Sequence, residues 1–435
     1  MLQRKAYNIL KLWKDTKTRQ GLLVTGARQV GKTFLIRAFA REHYKRLAEI
    51  NLVENKRAAA AIEGAETATD LFMRLSLLSE TELVPGETLI FIDEVQICKE
   101  TVTAIKFLVE QNDFDFVISG SLLGVELKNI RSVPVGYLDV VMMYPLDFRE
   151  YCLARNVPAD AAKLVDTAFS NREPVPDFLH EHLQKLFYEY LIIGGMPAAV
   201  AEFVKSKNLQ AVRRIQENLI LQNKQDISRY NEKDSLIIKD IYDLIPAELN
   251  SQNKRFVLKN MNEHARYGRY QDCFVWLADA GVALPTYNVD DPAYPLKLSQ
   301  ASNLFKLFMA DVGMLTGTFL KDVSIEILNR NPNVNYGSIY ENAVAQELKA
   351  HGFDLYYYKN KKLGEVDFMI ETVKGQVFPI EVKFGKDYKR HKAINNLLER
   401  DAMPEGFVLY DGNLRKDGKV TYLPVYMTGC LAITK

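Results

Sequence analysis

Gly26-Ala27-Arg28-Gln29-Val30-Gly31-Lys32-Thr33 is the stretch that decides the fold of this 435-residue chain. It fits the phosphate-cradling pattern G-x-x-x-x-G-K-[ST]. Gly26 and Gly31 permit a tight turn whose successive backbone N–H groups point inward and bind an anion. Lys32 reaches the outer phosphates as a point charge, and the Thr33 hydroxyl is a candidate Mg²⁺ ligand. The flanks agree with this reading. Leu22-Leu23-Val24-Thr25 reads as a short buried strand, and Phe34 to Ala40 as the helix whose N-terminus faces the phosphates.

Outward from this loop, Thr88-Leu89-Ile90-Phe91-Ile92 is a second apolar strand, and it ends in Asp93-Glu94. Ligands of a parallel sheet gather at the carboxyl ends of its strands. Asp93 is therefore expected beside Mg²⁺, holding it through a water, and Glu94 as the group that polarises the attacking water. A third strand, Phe116-Val117-Ile118, runs into Ser119-Gly120-Ser121. A hydroxyl there, Ser121 or Ser119, is a candidate γ-phosphate sensor. The combination implies a chain that binds ATP or GTP and hydrolyses it.

Composition narrows the class. With 48% hydrophobic and 26% charged residues, the chain is expected to be soluble and globular, with room for two to four domains. A net charge of +1 argues against a uniformly basic nucleic-acid coat, though local patches remain open. No apolar run approaches a membrane span, and Met1-Leu2-Gln3-Arg4-Lys5 does not begin a signal peptide. Cys98, Cys152, Cys273 and Cys430 form no C-x-x-C pair, which argues against structural zinc or a disulfide framework. The expected compartment is the cytoplasm, with no membrane partner.

Up to about Tyr151 short strands alternate with helical patterns, the mark of a parallel sheet with crossover helices. Helical periodicity then takes over, with a loop at Glu173-Pro174-Val175-Pro176. A strong helix over Leu183 to Ile193 stops at Gly194-Gly195-Met196-Pro197. Beyond Asn253 the expected elements are a helix over Asp272 to Ala280 and strands at Gly281–Leu284 and Leu304–Phe308. Helices followed by two strands suggest a winged-helix-like region. Ser324 to Asn335 reads as a linker. The remainder returns to α/β, with a helix at Ile339–His351 and strands near Asp354–Tyr358, Val366–Ile370, Phe378–Val382 and Gly406–Tyr410.

This last region carries a second carboxylate group: Glu341 on the helix, Asp367 in Gly364-Glu365-Val366-Asp367-Phe368, and Glu381-Val382-Lys383 closing a strand. Residues two apart on a strand share a face, so Glu381 and Lys383 point the same way. If Asp367 ends a neighbouring strand on that face, Asp367 and Glu381 form a candidate Mg²⁺ site, with Lys383 orienting a water for phosphodiester attack. Lys359, Lys361, Lys362, Lys386, Lys389, Arg390 and Lys392, interleaved with Tyr356, Tyr357, Tyr358 and Tyr388, suit a polyanion backbone.

With these motifs assembled, the chain resembles a family of prokaryotic AAA+-type ATPases fused to a C-terminal domain of restriction-endonuclease-like, PD-(D/E)-x-K fold. Besides the motifs above, the resemblance rests on Pro145-Leu146-Asp147-Phe148-Arg149-Glu150, Gly194–Pro197 and Asp311-Val312-Gly313-Met314-Leu315. It implies an α/β architecture in four parts: residues 1–155 a P-loop AAA+-type nucleotide-binding domain, 156–230 a helical lid, 231–322 the winged-helix-like region, and 323–435 the endonuclease-like domain. It also implies ATP and Mg²⁺ as cofactors, and Glu341, Asp367, Glu381 and Lys383 as the second site. Many relatives carry Gly-Arg ahead of the Pro-Leu-x-Phe-x-Glu motif, where this chain has Gly136-Tyr137. No arginine from that position can complete a neighbour's ATP site; Arg131, Arg149 and Arg155 are the nearby substitutes, and the oligomeric state stays open.

The leading functional expectation is Mg²⁺-dependent ATP hydrolysis whose cycle controls a C-terminal nucleic-acid-binding domain. The alternatives are an ATP-regulated, metal-dependent nuclease, and a nucleotide-switched signalling or scaffold protein whose tail binds another protein without turnover.

Overall fold

The computed structural model describes residues 2–16, 20–98, 100–111, 114–121, 136–229, 232–251, 253–260, 267–319, 321–331, 334–400 and 403–434. The chain divides into two units, Gln3–Tyr144 with Asp279–Gly281, and Pro145–Ala278 with Val282–Lys435.

In the first unit, strands β1 (Gly21–Gly26), β2 (Arg46–Asn51), β3 (Thr88–Asp93), β4 (Asp115–Gly120) and β5 (Leu138–Met143) form one parallel sheet. Their order is β2-β3-β4-β1-β5. The three apolar runs singled out in the sequence are its three central strands. They are apolar throughout because both faces are covered. Leu22, Val24, Leu89, Phe91 and Val117 pack with Leu35, Ile36 and Phe39 of the helix Lys32–His43. Leu23, Ile90, Ile92, Phe116 and Ile118 pack on the opposite side with Val102, Ile105 and Leu108 of the helix Glu100–Gln111. The register pairs Thr25 with Gly120 and Ile92 with Ile118, so β1, β3 and β4 end together at one edge of the sheet.

The second unit contains an eight-stranded mixed sheet in the order β12-β13-β11-β10-β9-β8-β6-β7. Its strands are β6 (Ala283–Val289), β7 (Gln300–Met309), β8 (Tyr356–Asn360), β9 (Gly364–Glu371), β10 (Val377–Val382), β11 (Gly406–Tyr410), β12 (Arg415–Asp417) and β13 (Val420–Pro424). The hairpin expected as a wing is β6 and β7, and β6 also pairs in parallel with β8. The two strands therefore extend the C-terminal sheet, which crosses the expected boundary at 322/323. The pairing information lies in strands distant along the chain, which local periodicity cannot register. The expected linker holds much of a helix, Lys321–Leu328, while its Pro332 and Asn333 lie outside the described residues.

Three motifs meet in the core of this unit. Pro145–Glu150, assigned from sequence to the nucleotide-binding domain, belongs here. Leu146 N donates to Gly195 O (2.7 Å), and Gly195 N donates to Asp311 Oδ2 (2.6 Å). Asp311 also caps its own helix by accepting from Met314 N at 3.0 Å. The helix Tyr336–Ala350 closes the knot and is buried along almost its whole length. Its polar residues satisfy backbone groups that would otherwise be orphaned. Asn342 pairs with both the N–H and the carbonyl of Met309 (2.8 and 3.0 Å), Gln346 Oε1 accepts from Val312 N (2.8 Å), and Glu347 Oε1 accepts from Phe148 N (2.7 Å). The helices over residues 156–230, expected as a lid, fall in this same unit.

All four cysteines are buried, and none of them is in a disulfide. Among the described residues, no helix is long and apolar enough to cross a membrane.

Candidate functional site

The edge where β1, β3 and β4 end carries the candidate site. Gly26 leaves β1 at φ 142° and Gly31 precedes the helix at φ 94°, two backbone states that favour glycine. A Cβ at Gly26 would sit 2.1 Å from Met143 O, so the turn is closed to any larger residue. The loop is tied from outside by Arg4, which donates to Val30 O at 2.7 Å and to Tyr144 O at 2.6 Å. Nothing in the sequence signalled that role for Arg4, because its partners are both main-chain carbonyls.

Lys32 is only 6% exposed, and its ammonium folds back into the loop. It donates to Gly26 O (3.1 Å), Ala27 O (2.8 Å) and Ser121 Oγ (2.9 Å). Burial pushes its pKa down to about 8, against the opposing pull of Glu94 and Asp93 and with a further push from Arg28. Thr33 Oγ1 donates to Asp93 Oδ2 at 2.8 Å, while Ser119 Oγ and Glu94 N (3.0 Å) both donate to Oδ1. Asp93 is thus a buried carboxylate fixed from three sides, ready to be shared between a hydroxyl and an ion. Hydroxyl and carboxylate oxygens are the donors a hard divalent cation prefers, so Thr33 and Asp93 fit Mg²⁺.

The two serines separate in role. Ser119 bonds to Asp93 and Ser121 to Lys32, so Ser121 is the one that touches the loop lysine. Glu94 is half-buried, with a left-handed backbone at φ 61°. Its Oε2 accepts from Gln96 Nε2, and Gln96 Oε1 accepts from Ser121 N at 3.2 Å. Gln96 therefore links the β3 acid to the end of β4. Sequence reading passed over it, although its position two residues after Glu94 was an available signal. The remaining loop residues, Ala27, Arg28, Gln29 and Val30, contribute backbone, with Gln29 left-handed at φ 63° and Val30 buried.

A lysine lowered to about pH 8 by burial must be protonated to hold phosphate. ATP affinity is expected to be complete below pH 8 and to fall, up to about tenfold per unit, as pH rises above it. Calorimetry at pH 8.5 in buffers of different ionisation heat should show proton uptake on ATP binding. Uptake should vanish in Lys32→Met.

The second constellation lies wholly in the other unit, and its members do meet. The register that pairs Ile380 with Phe368 puts Glu381 beside Asp367, and Val382 N donates to Asp367 Oδ2 at 2.9 Å. Lys383 Nζ is 2.6 Å from Glu381 Oε1. Burial, reinforced by Asp367 and opposed by Lys383, pushes the Glu381 carboxyl up to about 8. Burial and Asp367 also raise Glu341. What the sequence did not anticipate is Lys306 of β7. Its fully buried ammonium lies 3.1 Å from Glu365 Oε1, 3.5 Å from Glu341 Oε2 and 3.6 Å from Asp367 Oδ1. Among the described residues, no group of three or more His, Cys, Asp or Glu is arranged to hold a metal ion.

Other expected residues are engaged elsewhere. Arg149 pairs with Asp166, and Arg155 with Glu189 at 2.6 Å, both inside the second unit; Arg131 lies outside the described residues. Tyr356, Tyr357 and Tyr358, expected among the residues suited to a polyanion backbone, are buried. Lys361, Lys362, Lys389, Arg390 and Lys392 are exposed, whereas Lys359 is 2.5 Å from Glu365. The side chain of Lys386 is outside the described residues.

Comparison with known proteins matches three segments of the chain. Residues 18–152 match the family model described as an AAA domain. Residues 184–322 and 336–427 match two families described only as domains of unknown function, DUF8612 and DUF4143. No curated protein matches the chain. Among solved structures, the Walker-type ATPase PABY2304 of Pyrococcus abyssi is similar at 14% identity and a TM-score of 0.44, over 73% of this chain and 95% of that one. AMPPCP-bound DnaA of Aquifex aeolicus is similar at 12% identity and a TM-score of 0.30, over 58% of this chain and 73% of that one. The N-terminal part of the chain thus carries an AAA domain.

Proposed function

We propose that this AAA-type domain hydrolyses Mg²⁺-bound ATP, and that its nucleotide cycle controls nucleic-acid engagement by the C-terminal part of the chain. One observation carries the first half: Lys32, Thr33, Asp93, Glu94 and Ser121 converge on the edge where three buried strands end. When ATP enters, Lys32 exchanges the carbonyls of Gly26 and Ala27 for phosphate oxygens. Ser121 keeps its contact with that lysine and lies where a γ-phosphate oxygen would be met. Mg²⁺, held by Thr33 and by Asp93 through a water, would neutralise charge on the β- and γ-phosphates. Glu94, steadied by Gln96, accepts the proton of the attacking water. The water oxygen bonds to the γ-phosphorus as the bond to the β-bridging oxygen breaks, giving ADP and phosphate. ATP is chosen over GTP by family resemblance.

The second half is supported by the exposed Lys361, Lys362, Lys389 and Lys392 near β8, β9 and the helix Lys392–Arg400. Phosphate backbones are bound through such charges in a salt-dependent way. Turnover measured with duplex DNA, single-stranded DNA and RNA should change with at least one polymer, and that change should fade with added salt. Unchanged turnover with every polymer would remove the coupling. Tight ATP binding without turnover would favour the scaffold reading instead.

A further inference from the structure

We infer that the Lys306 ammonium is a built-in cation standing where a divalent ion would sit, so that the C-terminal carboxylate cluster is metal-free and does not cleave phosphodiesters. The inference is independent of the ATPase reading, since every residue in it lies in the second unit.

Three observations support it. The first is position. Lys306 rises from β7, an element outside the motif that carries Asp367, Glu381 and Lys383. It is 0% exposed, and carboxylates from β9 and from the helix Tyr336–Ala350 lie 3.1 to 3.6 Å from its nitrogen. Mg²⁺ would need oxygens at about 2.0–2.1 Å, and the ammonium already occupies the place among them.

The second is charge. Four carboxylates, Glu341, Glu365, Asp367 and Glu381, face four ammonium groups, Lys254, Lys306, Lys359 and Lys383. Counted as ionised, the four acids are matched one for one by the four ammonium groups. A further dication would leave an uncompensated double charge in a buried place, which is costly. Lys383, the residue expected to handle a water, is committed to Glu381 at 2.6 Å.

The third is an unused valence. Glu341 and Glu381 are 2% and 7% exposed, and the Oε2 atom of each is buried without a hydrogen bond. Glu341 Oε2 faces Lys306 at 3.5 Å. The Glu341 atom would accept a cation if room allowed, and Lys306 fills the space beside it.

The test is Mn²⁺ binding to the nucleotide-free full chain, followed by electron paramagnetic resonance. Wild type and Asp367→Asn should bind equal numbers of ions, because any ion at the P-loop is common to both. Lys306→Met should gain one ion, and adding Asp367→Asn should remove it. In chelator, Lys306→Met should melt about 10 °C below wild type, since it strands buried carboxylates, and Mn²⁺ should restore it. Wild type should melt alike with and without Mn²⁺. An Asp367-dependent Mn²⁺ ion in wild type would overturn the inference. So would Lys306→Met that folds yet gains no ion. Should that variant fail to fold, the comparison of wild type with Asp367→Asn still decides. Asp367-dependent cleavage of DNA or RNA by wild type would overturn it as well.

Discussion

Replacing Glu94 with glutamine should slow phosphate release by about 10²–10⁴-fold while ATP remains bound. The expected split follows from where Glu94 sits. In the proposed reading the ligand is held by the loop, Lys32 and Thr33; losing the Glu94 charge weakens one of the pulls that keep Lys32 protonated, so binding is to be compared well below pH 8. Asp93 keeps its three donors, two of them hydroxyls from Thr33 and Ser119 and the third the Glu94 backbone N–H, which the substitution retains. Glutamine also preserves a partner for Gln96, so the link to Ser121 should survive. The capacity to take a proton from water is lost. Equilibrium binding and single-turnover assays on the same preparation separate the two effects. Turnover at the wild-type rate would remove Glu94 from the chemical step and leave Asp93 or a water chain to supply the base.

Gly195→Ala should be among the most destabilising single-methyl additions available to the second unit. A Cβ there would lie 2.0 Å from Leu146 O and 2.7 Å from Leu146 N. Both are backbone atoms and cannot swing aside. Separating the segments would break the bond from Leu146 N to Gly195 O, and would pull Gly195 N away from the buried carboxylate of Asp311. Overpacking plus a stranded buried charge places the cost above about 4 kcal/mol. Gly268 is the matched control. It lies in the helix Tyr267–Asp279, nothing lies within 4 Å of a Cβ built there, and alanine should be neutral or stabilising by up to about 1 kcal/mol. Thermal melts of the two variants side by side should diverge accordingly. Equal melting would mean that the contact between Gly195 and Leu146 is not a close one.

How much of this was legible in the sequence depended on whether the signal was local. The phosphate loop needs particular residues at fixed spacing, and its three buried strands are short apolar runs, so both could be read directly. Asp93 and Glu94 follow a strand whose direction fixes which end they occupy. The β6–β7 hairpin was recognised in part as strands, yet its place in the C-terminal sheet depends on parallel pairing with β8, some seventy positions later. Lys306 was invisible for the same reason. A lysine within an apolar strand reads as a solvated edge residue until the fold brings Glu341, Glu365 and Asp367 around it. The glycine and aspartate motifs at 194–197 and 311–315 carried the resemblance without disclosing that they bond to each other. Gln96 and Arg4 act through hydrogen bonds to Glu94, Ser121 and two main-chain carbonyls, and no periodicity records those.

Phosphate release from ATP by the purified full chain, beside Lys32→Ala, is the decisive measurement. Wild type should release phosphate only with Mg²⁺ present, and the variant should be slower by at least about a hundredfold, as expected when a buried charge on the transferring group is removed. Equal rates in the two proteins, or no ATP binding by wild type, would contradict a nucleotide site at this sheet edge.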